Sequence, residues 1–167
     1  MRIVIQRVAK ASVSLENPAE IKPGDLLPGD NAQPHSIGRG FLLLVGVADS
    51  DGTAEIQWAA RKIANMRLFS DAEGKMNLAL HDVAGEVLSI SQFTLFGDIH
   101  KGNRPSFIAA GKPDHAKRIW QRFNAELRDT HHLTVRTGWF GTDMAVSLVN
   151  DGPVTILLDT DRDMPQK

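Results

Sequence analysis

The sequence predicts an α+β fold, a mostly antiparallel β-sheet or barrel carrying two main helices. Three observations predict it: several short runs with strand patterning, only two stretches with helical spacing, and no regular strand–helix alternation of the kind a parallel sheet requires. No segment repeats another at a fixed period. The 167 residues suffice for one domain and are short for two. A chain of this length buries roughly 70% of the surface it exposes when unfolded, so no disulfide or structural metal is needed.

Residues 2–15 place apolar side chains at Ile3, Ile5, Val8, Ala11, Val13 and Leu15, the last three in strict alternation, which predicts a half-buried strand. Where a hairpin should follow, residues 16–37 hold Pro18, Pro23, Pro28 and Pro34 with Gly24 and Gly29. That composition removes sheet donors and favours turns, so a surface loop insertion is expected. Phe41 to Val47 is apolar on both faces and suits a strand buried from both sides. From Thr53 to Met66 the spacing changes to Ile56, Ala59, Ala60, Ile63 and Met66, one face of a helix, with Asp51 or Thr53 placed to cap it.

Strands are expected around Arg67–Phe69 and Gly85–Phe96, with Asp71-Ala72-Glu73-Gly74 as turn chemistry. Gly97 to Gly111 is polar and reads as loop. A second helix starts near Pro113, a residue suited to the first helical position. It carries Ala116, Ile119, Trp120, Phe123 and Leu127 on one side and Lys117, Arg118 and Arg122 on the other. Two closing strands, about 143–149 and 154–158, are joined through Asn150-Asp151-Gly152-Pro153. Residues 1–160 are expected to form one domain, with residues 161–167 a polar, frayed tail.

Composition removes several function classes. Cysteine is absent, which excludes a disulfide scaffold, a thiolate zinc site, an iron–sulfur centre and a cysteine nucleophile. Nineteen Lys and Arg against twenty Asp and Glu give a formal charge of −1, which argues against wrapping long stretches of nucleic acid. The apolar N-terminus is interrupted by Gln6, Arg7 and Lys10, and no apolar run approaches the roughly 18 residues of a membrane span. A cytoplasmic protein with no membrane partner is expected. Dinucleotide, lipase-type and zincin motifs are missing, and Gly97 and Gly102 have P-loop spacing but lead into Asn103-Arg104. His131 and His132 are adjacent, and on an extended segment would face opposite ways, so no metal site and no cofactor are expected.

Two segments carry possible chemistry. Ser91-Gln92-Phe93-Thr94-Leu95-Phe96 reads either as a sheet edge rich in β-formers or as a strand end whose freed backbone N–H groups bind a developing oxyanion. In the second reading Thr94 offers a hydroxyl as nucleophile or water-positioner, with no histidine base nearby in sequence. Asn150-Asp151-Gly152-Pro153-Val154-Thr155 reads on spacing alone as a plain hairpin, since Asp-Gly is a strong turn signal. Alternatively a cis Gly152-Pro153 bond presents two backbone carbonyls as rigid acceptors, suited to an ammonium group.

Six blocks in order resemble the D-aminoacyl-tRNA deacylase family over almost the whole chain. They are Met1-Arg2-Ile3-Val4-Ile5-Gln6-Arg7-Val8, Arg67-Leu68-Phe69, Gly74-Lys75-Met76-Asn77, Ser91-Gln92-Phe93-Thr94-Leu95, Lys101-Gly102-Asn103-Arg104-Pro105-Ser106-Phe107 and Asn150-Asp151-Gly152-Pro153-Val154-Thr155. The stretch 16–37 departs, being longer and richer in proline than the family's turn. The resemblance implies a homodimer of compact barrel-like subunits, a deacylase-type fold, that hydrolyses the ester between a D-amino acid and the 3′ end of tRNA, with the active site at the subunit interface. It places the catalytic motif on Ser91, Gln92, Phe93 and Thr94, and the cross-subunit Gly-cis-Pro motif on Gly152 and Pro153. Arg7 matches the arginine supporting that pair, and Phe140 and Met144 match residues lining the pocket.

With ammonium and carbonyl fixed, an L side chain would fall on the Gly152-Pro153 backbone, so L substrates are expected to be excluded and glycine accepted. The competing expectations are a non-catalytic RNA-binding module using Lys101, Arg104, Lys112, Lys117, Arg118 and Arg122, and a related deacylase with relaxed chirality.

Overall fold

The computed structural model describes residues 1–17 and 33–165, and its organising element is a long first strand, β1 (Arg2–Leu15). Ile3 and Ile5 point inward, as do Ala11, Val13 and Leu15, and the alternation breaks between them where register shifts bend the strand. One edge of β1 pairs antiparallel with β8 (Met144–Asp159) along its length. The other pairs antiparallel with β3 (Gly40–Gly46) and, further along, β2 (His35–Ile37). Beyond β3 the sheet turns parallel, to β6 (Glu86–Ser91) and then β7 (Val135–Thr137). The result is a nearly closed, barrel-like mixed sheet, antiparallel about β1.

Parallel pairing needs crossovers, and the two expected helices supply them. Helix α1 (Thr53–Asn65) lies between β3 and β6, and α2 (Pro113–Ala125) between β6 and β7. The apolar faces read from the sequence are the buried ones: Ile56, Ala59, Ala60 and Ile63 on α1, and Ile119, Trp120 and Phe123 on α2. Strand β3 is buried on both faces because it divides two cores. Phe41, Leu43 and Val45 pack beneath the helices, while Leu42 joins Val8, Leu88, Ile90 and Trp139 on the opposite side.

Several sequence expectations require correction. Most of the 16–37 insertion, residues 18–32, lies outside the described residues, but its end forms β2, paired with Ala11–Val13, so the insertion joins two neighbouring strands. Helix α1 is capped by neither Asp51 nor Thr53. Gly52 is the N-cap, and its N–H donates to the Glu55 carboxylate at 2.8 Å. The Asp51 carboxylate instead accepts from the Met1 amino group at 2.6 Å and the Ala48 N–H at 2.7 Å. The strand near residue 67 is short: β4 (Phe69–Ser70) pairs with β5 (Met76–Leu78) across the expected turn, where Asp71 accepts from the N–H groups of Glu73 and Lys75.

The strand expected through Phe96 stops at Ser91. The two closing strands are one, β8, with no hairpin between them. The tail is not frayed at its start: α3 (Thr160–Asp163) is capped by the Asp159 carboxylate, which accepts from the Asp161 N–H. Hydrogen bonding from Arg162 holds the Asp163 carboxyl at about 2, below its ordinary value of 3.8. His131 and His132 follow a π-helical turn, with His132 at φ 52, and are not on an extended segment. No helix among the described residues is long and apolar enough to cross a membrane.

Candidate active site

Strand β6 hands over to the site at its C-terminal end. The Gln92 N–H still bonds the Val45 carbonyl at 2.8 Å, a last rung shared with β3. The chain then leaves the sheet as a 3₁₀ turn, Phe93–Phe96. The first N–H groups of such a turn have no acceptor within it, so Phe93 and Thr94 carry the leftover donors. The Gln92 side-chain amide donates to the Thr94 hydroxyl at 2.5 Å, which leaves that hydroxyl its own proton to donate.

This turn forms one wall of a cavity of about 850 Å³. Val45, Val47 and Ile90 lie beneath it, and Phe107, Ile108 and the start of α2 border it. Phe140 and Met144 stand on the remaining side, so the structure gathers Ser91, Gln92, Phe93, Thr94, Phe140 and Met144 around one space. Phe140 is placed by Trp120, ring centroid to centroid 6.0 Å, and Trp120 is fixed by its own N–H to Ser89 Oγ at 3.0 Å. Met144 is drawn in by the Trp139 N–H, 3.3 Å from its sulfur. That approach depends on Gly138, where a Cβ would sit 2.7 Å from the same sulfur.

The lining includes the exposed Phe93 and Phe107 and the cation Lys112. Phe93 is 56% exposed and meets Phe107 edge-on at 5.1 Å. Lys101, Arg104 and Lys112 are exposed, Lys112 lining the cavity itself. Asp98, between them and the turn, is held below the usual carboxylate range by the backbone N–H of His100 and then by its imidazole. Among the described residues no group of three or more His, Asp or Glu side chains is arranged to hold a metal ion.

Arg7, Gly152 and Pro153 do not line this cavity. They form a second feature on the β1–β8 pair. Asn150 faces Val8 and Thr155 faces Gln6, so residues 151–154 leave the ladder opposite the single residue Arg7. Within this excursion the Gly152-Pro153 bond is cis and both residues are exposed. Arg7, only 7% exposed, braces it from below: Nε donates to the Asp151 carbonyl at 2.8 Å and Nη1 to the Leu68 carbonyl at 2.5 Å. Its Nε also lies 3.4 Å from the Asp151 carboxylate. Gly152 has φ +145, and a Cβ there would lie 2.6 Å from Val154 Cγ2 and 3.1 Å from Arg7 Nη2.

Sequence reading missed Gly138, Phe107 and Asn150 as participants. Phe107 sat within a recognised block, and Asn150 in a turn signal, but Gly138 gave no signal beyond a lone glycine between Thr137 and Trp139.

Comparison with known proteins agrees with the geometry. Residues 4–159 match the family described as D-Tyr-tRNA(Tyr) deacylase. A D-aminoacyl-tRNA deacylase of Bifidobacterium longum subsp. infantis is 55% identical over 99% of this chain and 98% of its own length. One from Bifidobacterium animalis subsp. lactis is 56% identical over 96% of this chain and 98% of its own. Among solved structures, the c-Myc DNA Unwinding Element Binding Protein superposes with TM-score 0.79 at 36% identity, covering 95% of this chain and 98% of that one. A probable eukaryotic D-amino acid tRNA deacylase, at 16% identity and TM-score 0.72 over 94% and 97% of the two chains, shares the fold. The cavity at the end of β6, the braced excursion on β8 and a match spanning nearly every residue lead to one assignment: the chain belongs to the D-Tyr-tRNA(Tyr) deacylase family of tRNA-editing hydrolases.

Proposed function

We propose that the chain hydrolyses the ester joining a D-amino acid to the 3′-terminal adenosine of tRNA, releasing free amino acid and tRNA. The observation that carries this reading is the cavity lined by Ser91–Thr94, with the leftover backbone donors of the turn, by Phe140 and Met144, and by one cation, Lys112. Water adds to the ester carbonyl, and the N–H groups of Phe93 and Thr94 bind the oxyanion that forms, each worth about 3 kcal/mol of barrier. Collapse expels the adenosine 3′-oxygen, which takes up a proton. An aminoacyl ester is already activated, and the neighbouring ribose hydroxyl positions the water. Thr94, whose hydroxyl accepts from Gln92, contributes its backbone N–H in this reading, and its hydroxyl is not the nucleophile.

Two subunits complete each site. What supports this is that Gly152 and Pro153 are exposed and lie outside the cavity of their own chain. Entering the partner's cavity, their backbone occupies the space an L side chain requires, while a D side chain points elsewhere and glycine has none to exclude. Glycyl-tRNA is therefore a substrate.

The direct test is release of free D-tyrosine from D-tyrosyl-tRNA. Turnover is expected; tRNA bound with no amino acid released would replace this reading with that of an RNA-binding module. For the mechanism, Thr94→Ala is expected to keep near-normal turnover, excluding an obligatory threonine nucleophile. A loss of about 10²–10³-fold or more, the range for a deleted oxyanion donor, would oppose catalysis by backbone and RNA.

A further inference from the structure

The Gly152-Pro153 excursion is braced from two sides, and only one of them, Arg7, belongs to the roles already described. On the other side stands Asn150, half-buried at the point where the chain leaves the β1–β8 ladder. Its Oδ1 accepts from the Val154 N–H at 2.7 Å, and its Nδ2 donates to the Val154 carbonyl at 3.2 Å. One side-chain amide thus bonds both backbone groups of a single residue, as a residue on a neighbouring strand does. Nδ2 also reaches the Thr155 hydroxyl at 3.3 Å, and Thr155 receives Gln6 Nε2 at 3.4 Å from β1.

Resting on the deacylase reading, we infer that Asn150 is a specificity-determining positioning residue. It closes the base of the excursion and so fixes the direction in which the Gly152 and Pro153 backbone projects. Val154 explains why the contact controls Gly152. The Val154 N–H and Cγ2 lie 2.8 and 2.6 Å from the place a Gly152 Cβ would take, so Gly152 is seated directly against the residue Asn150 grips. If Val154 shifts, Gly152 shifts with it. Arg7 cannot compensate, since it holds Asp151, the residue preceding Gly152. A backbone that excludes L side chains by occupying space loses that power when it can move aside, whereas the D substrate, whose side chain points elsewhere, loses less.

The test compares wild type, Asn150→Ala and Asn150→Asp for kcat/KM on D-tyrosyl- and L-tyrosyl-tRNA, with a thermal melt for each. Asn150→Ala is expected to lower the D-to-L ratio by about tenfold or more, the factor attached to one buried hydrogen-bonding group left unmade. Asn150→Asp keeps the acceptor for the Val154 N–H but not the donor, and is expected to recover part of the ratio. A merely structural role gives another pattern, because loss of folded protein scales both rates alike and leaves the ratio unchanged. A ratio within twofold of wild type in folded Asn150→Ala overturns the inference. Should Asn150→Ala fail to fold, Asn150→Asp and Thr155→Val are read by the same ratio. A wild-type enzyme that cleaves D esters, with variants that keep full discrimination, refutes the role of Asn150 alone. A wild type that cleaves neither ester refutes the deacylase reading, and one that cleaves both alike refutes chiral selection, and this inference falls with either.

Discussion

Gly152 shows how much a single missing Cβ can decide. It has φ +145, and an added methyl would press on Val154 and on Arg7 Nη2 at once. Gly152→Ala is therefore expected to displace the excursion and to reduce discrimination against L-tyrosyl-tRNA by about tenfold or more, the consequence of one to two kcal/mol of overpacking at a steric filter. Equal rates on L-tyrosyl-tRNA before and after the substitution would place the filter elsewhere. Arg7 is the complementary case, a buried cation spanning the Leu68 and Asp151 carbonyls. Its role was legible only through the family resemblance, because nothing in an apolar strand pattern explains an inward arginine. Once β8 is seen to leave the ladder opposite it, the inward turn has a physical cause. Asn150 was invisible for a related reason: its side chain acts as backbone, and the Asn-Asp-Gly signal is shared with ordinary turns.

At the scale of elements, sequence patterning succeeded where burial follows period and failed where the chain departs from its own period. Both main helices and the doubly buried β3 were read directly from apolar spacing. The end of β6 was not. Phe93, Leu95 and Phe96 continue a strand-like composition, yet the chain turns at Gln92 because β3 offers no further rung. The same limit affected β8, where Gly152 and Pro153 looked like a hairpin but form an excursion within one strand; what keeps its two halves in line is β1, a partner far away in sequence.

Helix α2 is tied to the sheet beneath the cavity by the buried Trp120 to Ser89 bond. Ser89→Ala leaves that indole N–H unpaired and is expected to cost about 1–3 kcal/mol in urea unfolding. An unchanged midpoint would show that the helix is positioned by apolar packing alone. At the C-terminus, the depressed Asp163 carboxyl contributes to α3 above its unfolded value and loses that contribution only as pH falls through about 2. NMR titration of Asp163 is expected to show an inflection well below 3.8. An inflection at the ordinary value would mean the Arg162 contact does not persist in solution.

Across the whole molecule, near-neutrality averages unlike regions. Residues 101–122 hold six Lys or Arg and one acid, Asp114, whereas Asp159, Asp161 and Asp163 crowd the C-terminus. A protein that grips only the end of a tRNA needs few phosphate contacts, such as Lys112 at the cavity and the exposed Lys101 and Arg104 of the preceding loop can supply. Three neutralised phosphates at about −0.7 each give a slope near −2 for log K against log salt. A slope of about −5 or steeper would require a much larger RNA footprint. The family and fold class were legible because ordered blocks and apolar periods are local. The placement of the candidate site residues was not, because the Ser91–Thr94 segment lines the cavity and the Gly152-Pro153 excursion does not, a separation that depends on how β8 pairs with the distant β1.

The measurement that tests the central claim most directly is hydrolysis of matched D-tyrosyl-, L-tyrosyl- and glycyl-tRNA by the same preparation of enzyme. Release of D-tyrosine and glycine with L-tyrosyl-tRNA left intact is the expected result. Equal cleavage of the L and D esters, or complete resistance of glycyl-tRNA at enzyme levels that cleave D-tyrosyl-tRNA, would contradict chiral selection by exclusion of the L side chain.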